Sequence, residues 1–242
     1  MTLEEEERLF YCLENNNLNG SIEIMNEIKS HRNFFYGHYV DWRKSRIEKL
    51  ISILGESWFN GKTILELGCG YGDIGRELQK LGSLVTFAEG KKEHVEQMKL
   101  MGRGPEIILL DQDNDWCLNR KFDLVIHWGV LYHLDNWKRD LEISIKHGKI
   151  VSLETEVIDS DDPEIESKLE ECWYDGALNH VGSRMSAGNV EKVFNEIGVV
   201  FNRYDDKDLN ASYHCYDWKV GERSPGIWSS GTRRFWMIYN DK

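Results

Sequence analysis

No part of the 242-residue chain strings roughly 18 apolar residues together, and its start, MTLEEEERLF, lacks both the basic opening and the apolar core of a secretory signal. The expectation is a cytoplasmic protein that does not enter a membrane. The five cysteines, Cys12, Cys69, Cys117, Cys172 and Cys215, are odd in number and show no C-x-x-C spacing, which argues against a disulfide framework and a zinc site. The eight histidines are scattered with no acid-rich cluster beside them, so no bound metal is expected. No basic run exceeds two residues and the formal net charge is −12, which disfavours a nucleic-acid partner, because phosphate-backbone binding is chiefly electrostatic. Repeats and low-complexity linkers are also missing, and the length suits one α/β domain with an extension rather than two full domains.

What the chain does have is concentrated in Thr63 to Gly75, TILELGCGYGDIG. An apolar run, Ile64, Leu65 and Leu67, encloses the acid Glu66 and is followed by Gly68, Gly70, Gly72 and Gly75. A buried parallel strand reads as such a run. Glycines just after it let the backbone turn sharply and approach a ligand that a side chain would push away. Gly70 to Gly75 satisfies G-x-G-x-x-G, so a dinucleotide reading stands beside any other.

Further apolar runs end in polar residues: Leu84 to Ala88 in Glu89-Gly90, Ile107 to Leu110 in Asp111-Gln112, and Phe122 to Ile126 in His127-Trp128. In an open α/β sheet the ligand lies across the carboxyl ends of the strands, so these positions converge on one crevice. An acid after the second strand suits a ribose diol, and one after the third suits an adenine amino group. With Glu66-x-Gly68-x-Gly70-x-Gly72, Glu89, Asp111 and FDLVxxxxVLYHL from Phe122 to Leu134, the sequence resembles the class I S-adenosylmethionine (SAM) methyltransferases. A dinucleotide would explain Glu89 equally well, but it gives no role to Asp111 or Glu66.

Along the chain, helices are expected from Leu3 to Leu13 and from Ser21 to Lys29, with Asn15 to Gly20 as a loop between them. A third helix over Asp41 to Leu54 carries Ile47, Leu50, Ile51 and Leu54 on one stripe, preceded by the aromatic cluster Phe34, Phe35, Tyr36, Tyr39 and Trp42. From Thr63 strands and helices alternate, which means a parallel sheet with right-handed crossovers. The helix from Ser186 to Ile197 stops at Gly198, and the β-like segments Val199 to Tyr204 and Phe235 to Tyr239 predict an antiparallel strand at the sheet edge. The fold class is thus α/β, a Rossmann-like doubly wound sheet; the resemblance implies seven strands with the last antiparallel. Residues 1–59 form an N-terminal helical extension and 60–242 the SAM-binding domain.

Methyl transfer from a sulfonium is an in-line displacement in which the protein positions the reactants and excludes water, so no catalytic triad is required. For a hydroxyl or protonated amine acceptor a base helps. Tyr132, His133 and His127 are the nearest candidates, with Glu154 at the end of the fifth strand as another. Cofactor contacts are expected from Glu66, Gly68, Cys69, Gly70, Gly72, Glu89, Gly90, Asp111, Gln112 and Trp128.

The segments GVLYH at 129–133 and VSLETEVID at 151–159, with Asp41-Trp42-Arg43, are also similar to the tRNA wobble-uridine carboxymethyltransferases. That resemblance implies that Trp42 and Tyr132 touch the cofactor and that Arg234 faces the extra carboxylate of carboxy-SAM. No counterpart of that family's upstream cofactor-binding lysine is present, so SAM is the first cofactor and carboxy-SAM the second. The first function is methyl transfer to oxygen or nitrogen of a small or medium-sized molecule. A tRNA-modifying transferase and a non-catalytic SAM-binding subunit are the alternatives.

Overall fold

A computed structural model describes residues 3–22, 24–25, 37–172, 176–222 and 231–240. Phe34, Phe35 and Tyr36 of the aromatic cluster, and the end of the second expected helix, lie outside these residues. The chain opens with α1 (Leu3–Glu14). The Asn-rich stretch after it is a shorter loop than expected: helix resumes at residue 18, and the Asn17 side chain accepts a hydrogen bond from the Gly20 N–H at 3.0 Å. Asparagine caps helices through that contact, so a residue that reads as loop sits at a helix start. Helix α2 (Gly37–Leu54) then leads into the sheet.

Strands β1 (Thr63–Leu67), β2 (Leu84–Glu89), β3 (Ile107–Leu109), β4 (Phe122–Trp128) and β5 (Gly148–Glu156) are parallel. They are connected by α3 (Asp73–Lys80), α4 (Lys92–Leu100) and α5 (Trp137–His147). After β5 come β6 (Glu166–Glu170), β7 (Val181–Met185), α6 (Ala187–Ile197), β8 (Val200–Tyr204) and β9 (Arg233–Tyr239). The seven-stranded sheet has the order β3-β2-β1-β4-β5-β9-β8. Strand β9 is antiparallel, as expected, but it is not at the edge: it inserts between β5 and β8 and pairs with both. Its run RRFWMIY, buried from Arg233 to Ile238, needs cover on both faces and partners on both sides, whereas β8 exposes Val200 and can stand at the edge.

Alternation along the strands divides the core in two. Leu65, Leu67, Val125, Val151, Leu153, Trp236 and Ile238 face α5 and α6. Ile64, Val85, Phe87, Leu124, Ile126, Phe235 and Met237 face α2, α3 and α4. This is the doubly wound arrangement, and Leu50 and Phe194 anchor the stripes of α2 and α6 at zero exposure. Helix α6 begins on Ser186, whose hydroxyl accepts from the Asn189 N–H at 3.0 Å, and ends on Gly198 in the left-handed conformation. The β6–β7 hairpin lies outside the sheet and was not expected. Its first strand, ESKLE, is largely charged, and its place is set by contacts with the turn after β4 described below.

Candidate functional site

At the carboxyl ends of β1, β2, β3 and β4 a crevice of about 1220 Å³, counting its open mouth, is lined from α2, the glycine turn and the turn after β4. The glycine turn forms its floor. Gly68, Gly70 and Gly72 all have positive φ, between 56° and 72°, a conformation that costs other residues strain. A Cβ on Gly68 would overlap the Val130 side chain. Beneath the turn Glu66 is buried; its Oε2 accepts from the Gly75 N–H at the start of α3 at 2.8 Å, and its Oε1 has no partner among the described residues. Burial pushes this carboxyl up to about 8, against the pull of the Gly75 N–H. Cys69 borders the crevice with its Sγ 3.6 Å from Met98 Sδ, and burial raises its thiol far above the ordinary range, so it stays protonated.

The acid after β2 does more than face the crevice. Glu89 Oε2 accepts from the Gly70 N–H at 2.8 Å and Oε1 from the Lys91 N–H at 2.9 Å, so this carboxylate also holds the glycine turn in place. Asp111 accepts from the Asp113 N–H at 3.0 Å and from Asn114 Nδ2 at 2.7 Å, which fixes the turn after β3. Gly90 and Gln112 complete this wall, while the amide nitrogen of Gln112 turns inward to Asp140 Oδ2 at 3.1 Å.

On the β4 side, a short 3₁₀ turn, Leu131–His133, puts Tyr132 and His133 on the crevice. His133 Nδ1 lies 2.5 Å from Oε2 of the fully buried Glu171, which follows β6. Glu171 also accepts from Arg184 Nη2 and from the Ala177 N–H, both at 2.8 Å. Burial alone would raise its carboxyl, but the bonds from His133 and Arg184 outweigh it and the group is held below its ordinary value. Arg184 reaches further, donating through Nε to Glu156 at 2.9 Å and through Nη1 to the Tyr132 carbonyl at 2.9 Å. Two arginines of α2 close the crevice from above: Arg43 pairs with Asp73 at 3.3 Å, and the buried Arg46 pairs with Glu154 at 3.0 Å.

The family described as "Methyltransferase domain" matches residues 37–200, more than half of the chain. The chain belongs to that family. Among curated proteins none matches this sequence. Solved structures show the same fold at low identity. An S-adenosylmethionine-dependent methyltransferase from Mesorhizobium loti has 14% identity and a TM-score of 0.59, covering 80% of this chain and 96% of its own. The N-terminal domain of EvdMO1, solved with SAH and D-fucose, has 16% identity and a TM-score of 0.59, covering 82% and 81%. Magnesium protoporphyrin IX methyltransferase from Synechocystis PCC 6803, solved with SAM, has 13% identity and a TM-score of 0.53, covering 83% and 80%.

The methyltransferase brings together most of the residues singled out in its sequence. Trp42, Glu66, Gly68, Cys69, Gly70, Glu89, Gly90, Asp111, Gln112, Trp128, Tyr132 and His133 all border the crevice. Gly72 lies just behind it, where a Cβ would press on Phe87. Two indoles contribute little polarity, because Trp42 Nε1 donates to Tyr216 Oη and Trp128 Nε1 to Ser152 Oγ. Both faces of Trp42 are covered, His214 stacking at 4.1 Å and the Arg46 guanidinium lying 3.7 Å from the ring centroid.

Three residues are placed elsewhere. His127 is fully buried inside β4, with Nε2 2.6 Å from Asp140, and does not border the crevice. Glu154 is also fully buried, its oxygens taken by Arg46 and Tyr216. Arg234 donates to the carbonyls of Tyr216 at 2.6 Å and Trp218 at 3.1 Å, away from the crevice. Neighbouring residues on a strand point to opposite faces; it is Arg233 whose guanidinium lies 4.7 Å from the rings of both Trp42 and Tyr132. Reading the sequence did not single out Arg46, Tyr71 and His94, which border the crevice, or Glu171, which reaches it through His133, and it named Arg43 only within Asp41-Trp42-Arg43. The spacing of Arg43 and Arg46 by three along a helix is the one signal that could have found a pair of them.

Proposed function

We propose that this methyltransferase uses SAM and delivers its methyl group to oxygen or nitrogen of a small or medium-sized molecule. The observation that carries the cofactor assignment is the Glu66 Oε1 atom, buried without a partner among the described residues beside a backbone cradle of positive-φ glycines. Buried polar atoms are rarely left unsatisfied, and a cation-bearing amino-acid ligand would satisfy this one. The residues present therefore fit SAM. Glu66, Arg43 and the turn from Gly68 to Gly72 would hold its amino-acid part, Glu89 its ribose, and Asp111 with Gln112 its adenine.

When bound, SAM supplies an electrophilic methyl carbon on sulfonium sulfur. The chain contributes position and dryness. Trp128, Val130 and Leu134 line the acceptor side with apolar surface, and the Arg43 and Arg46 side chains roof the crevice. Tyr132 and His133 stand where an acceptor would meet the cofactor; burial raises the Tyr132 phenol, so it serves as a hydrogen-bonding group rather than a base. The interior position of Arg234 leaves the extra carboxylate of carboxy-SAM without the arginine assigned to it, which favours plain SAM.

Titration calorimetry with SAM, S-adenosylhomocysteine, carboxy-SAM and NAD, together with the mass of any small molecule that copurifies, tests this reading. Binding of SAM and its demethylated product is expected, and Gly70→Val should abolish it while the circular-dichroism spectrum stays native. Binding of the dinucleotide alone, or retained SAM binding by Gly70→Val, would overturn it.

A further inference from the structure

The turn after β4 carries a histidine whose partner fixes which of its two nitrogens is available. Nδ1 of His133 faces the Glu171 carboxylate at 2.5 Å; that carboxylate is fully buried, accepts also from Arg184 and the Ala177 N–H, and is held below its ordinary value by the bonds from His133 and Arg184. An ionised carboxylate only accepts hydrogen bonds, so Nδ1 carries the proton, and in the neutral imidazole Nε2 is the nitrogen that keeps its lone pair. His133 keeps 21% of its side chain exposed and borders the crevice.

The crevice carboxyls are committed elsewhere. Glu66 lies under the glycine turn, Glu89 holds Gly70 and Lys91, Asp111 holds its own turn, and Asp73 pairs with Arg43 and Arg103. The Tyr132 phenol accepts a hydrogen bond from Arg233 at 3.4 Å. Among the described residues on the acceptor side, this leaves His133 Nε2 to take a proton.

An imidazole defines what it can deprotonate. A carboxylic acid is already ionised near neutrality and needs no base. A phenolic hydroxyl, near 10, lies about 3.5 pK units above an ordinary imidazole, whereas an alkyl alcohol, close to water's value of about 16, lies more than nine above it. An ammonium, at about 10.4 for a lysine-like amine, is within reach of the same base, but it would need a carboxylate partner, and the described crevice carboxylates Glu89, Asp111 and Asp73 are already paired. We infer that the acceptor is a phenol or enol, that His133 Nε2 removes its hydroxyl proton, and that Glu171 is the positioning residue that fixes the His133 tautomer. The inference rests on the SAM reading above. In the step, the acceptor oxygen bonds to the methyl carbon as the methyl–sulfur bond breaks; that bond's electron pair stays on sulfur, and the hydroxyl proton moves to Nε2.

The tautomer can be read without any acceptor, by long-range ¹H–¹⁵N correlation spectra of histidine-labelled protein. The Nδ1-protonated form of His133 is expected in the wild type and in Glu171→Asp, with its population falling in Glu171→Gln. A wild-type His133 protonated on Nε2 alone overturns the inference. For the acceptor class, catechol, 4-methylphenol, 7-hydroxycoumarin, cyclohexanol, benzoic acid and benzylamine are incubated with SAM and the release of S-adenosylhomocysteine is followed. Turnover is expected with at least one phenol and not with the other probes. His133→Asn, which keeps a donor toward Glu171 but removes the base, should lower it at least about 100-fold with SAM affinity unchanged. Methylation of benzoic acid or benzylamine in preference to every phenol, silence of every phenol, or full turnover by His133→Asn each counts against the proposal. Calorimetry separates the failures: absent SAM binding sinks the function itself, whereas normal SAM binding with the wrong tautomer or acceptor sinks only this inference.

Discussion

Glu66 couples the site to the stability of the fold. Its carboxyl is raised from an ordinary 4.5 to about 8 by burial, so between those values the folded chain keeps a proton that the unfolded chain releases. The folded state then binds more protons, and its stability falls as pH rises through that window, by up to about 1.4 kcal/mol per pH unit, levelling off above about 8. In Glu66→Gln this contribution disappears. Urea midpoints measured from about pH 5 to about pH 8 should therefore fall less steeply for Glu66→Gln than for the wild type; equal slopes would show that Glu66 is ionised in the native protein. Glu89 presents a different case, because the same carboxylate holds the turn and is proposed to bind ribose. Glu89→Ala should weaken SAM binding on the order of 1.5–3 kcal/mol. Calorimetry checks this, and unchanged affinity in a folded variant would remove Glu89 from the cofactor.

The β6–β7 hairpin acts as a clamp on the turn after β4. Ser183 Oγ donates to the Leu134 carbonyl at 2.6 Å, Trp137 Nε1 donates to Glu166 at 2.9 Å, and Arg184 ties Glu156, Glu171 and the Tyr132 carbonyl together. Removing one member of a buried ionic group leaves the others uncompensated, at a cost of about 3–5 kcal/mol. Arg184→Met should lose roughly that stability in chemical denaturation, and amide hydrogen exchange should rise first across residues 131–135. Loss confined to global stability, with no local change in exchange, would mean that the hairpin does not hold the turn. Ser186 serves α6 similarly: its hydroxyl accepts from the Asn189 N–H and donates to the Asp162 carbonyl at 2.5 Å. Ser186→Ala should cost about 1 kcal/mol, read as a lowered denaturation midpoint.

For the molecule as a whole, the crevice draws on the ends of four strands, on α2 and, through Gly176 and Leu178, on the segment between β6 and β7. A ligand there binds only the assembled sheet, so it stabilises the native state by mass action, by about 2.7 kcal/mol at a SAM concentration 100 times Kd. The thermal midpoint should rise accordingly in the wild type and stay put in Gly70→Val. An equal rise in both would place the ligand away from the glycine turn.

Much of this design can be read from the chain alone. The run ILEL followed by spaced glycines, the acids Glu89 and Asp111 after the next two strands, and the stripes of α2 and α6 follow from local periodicity and from glycine's access to positive φ, so the parallel sheet and most of the crevice lining are legible there. The order of the last two strands is not read from it: chain order suggests an antiparallel strand at the edge, whereas the longer apolar run FWMIY of β9 needs cover on both faces and goes inside, leaving the more polar VFNRY of β8 at the edge. Nor is the face that each of Arg233 and Arg234 takes, since a one-residue difference in register exchanges them. Glu171 carries no local signal at all: it meets His133 across 38 positions of sequence. A buried acid finds its partners only when the sheet and the hairpin close around it, and it is this closure that brings Glu171 to His133.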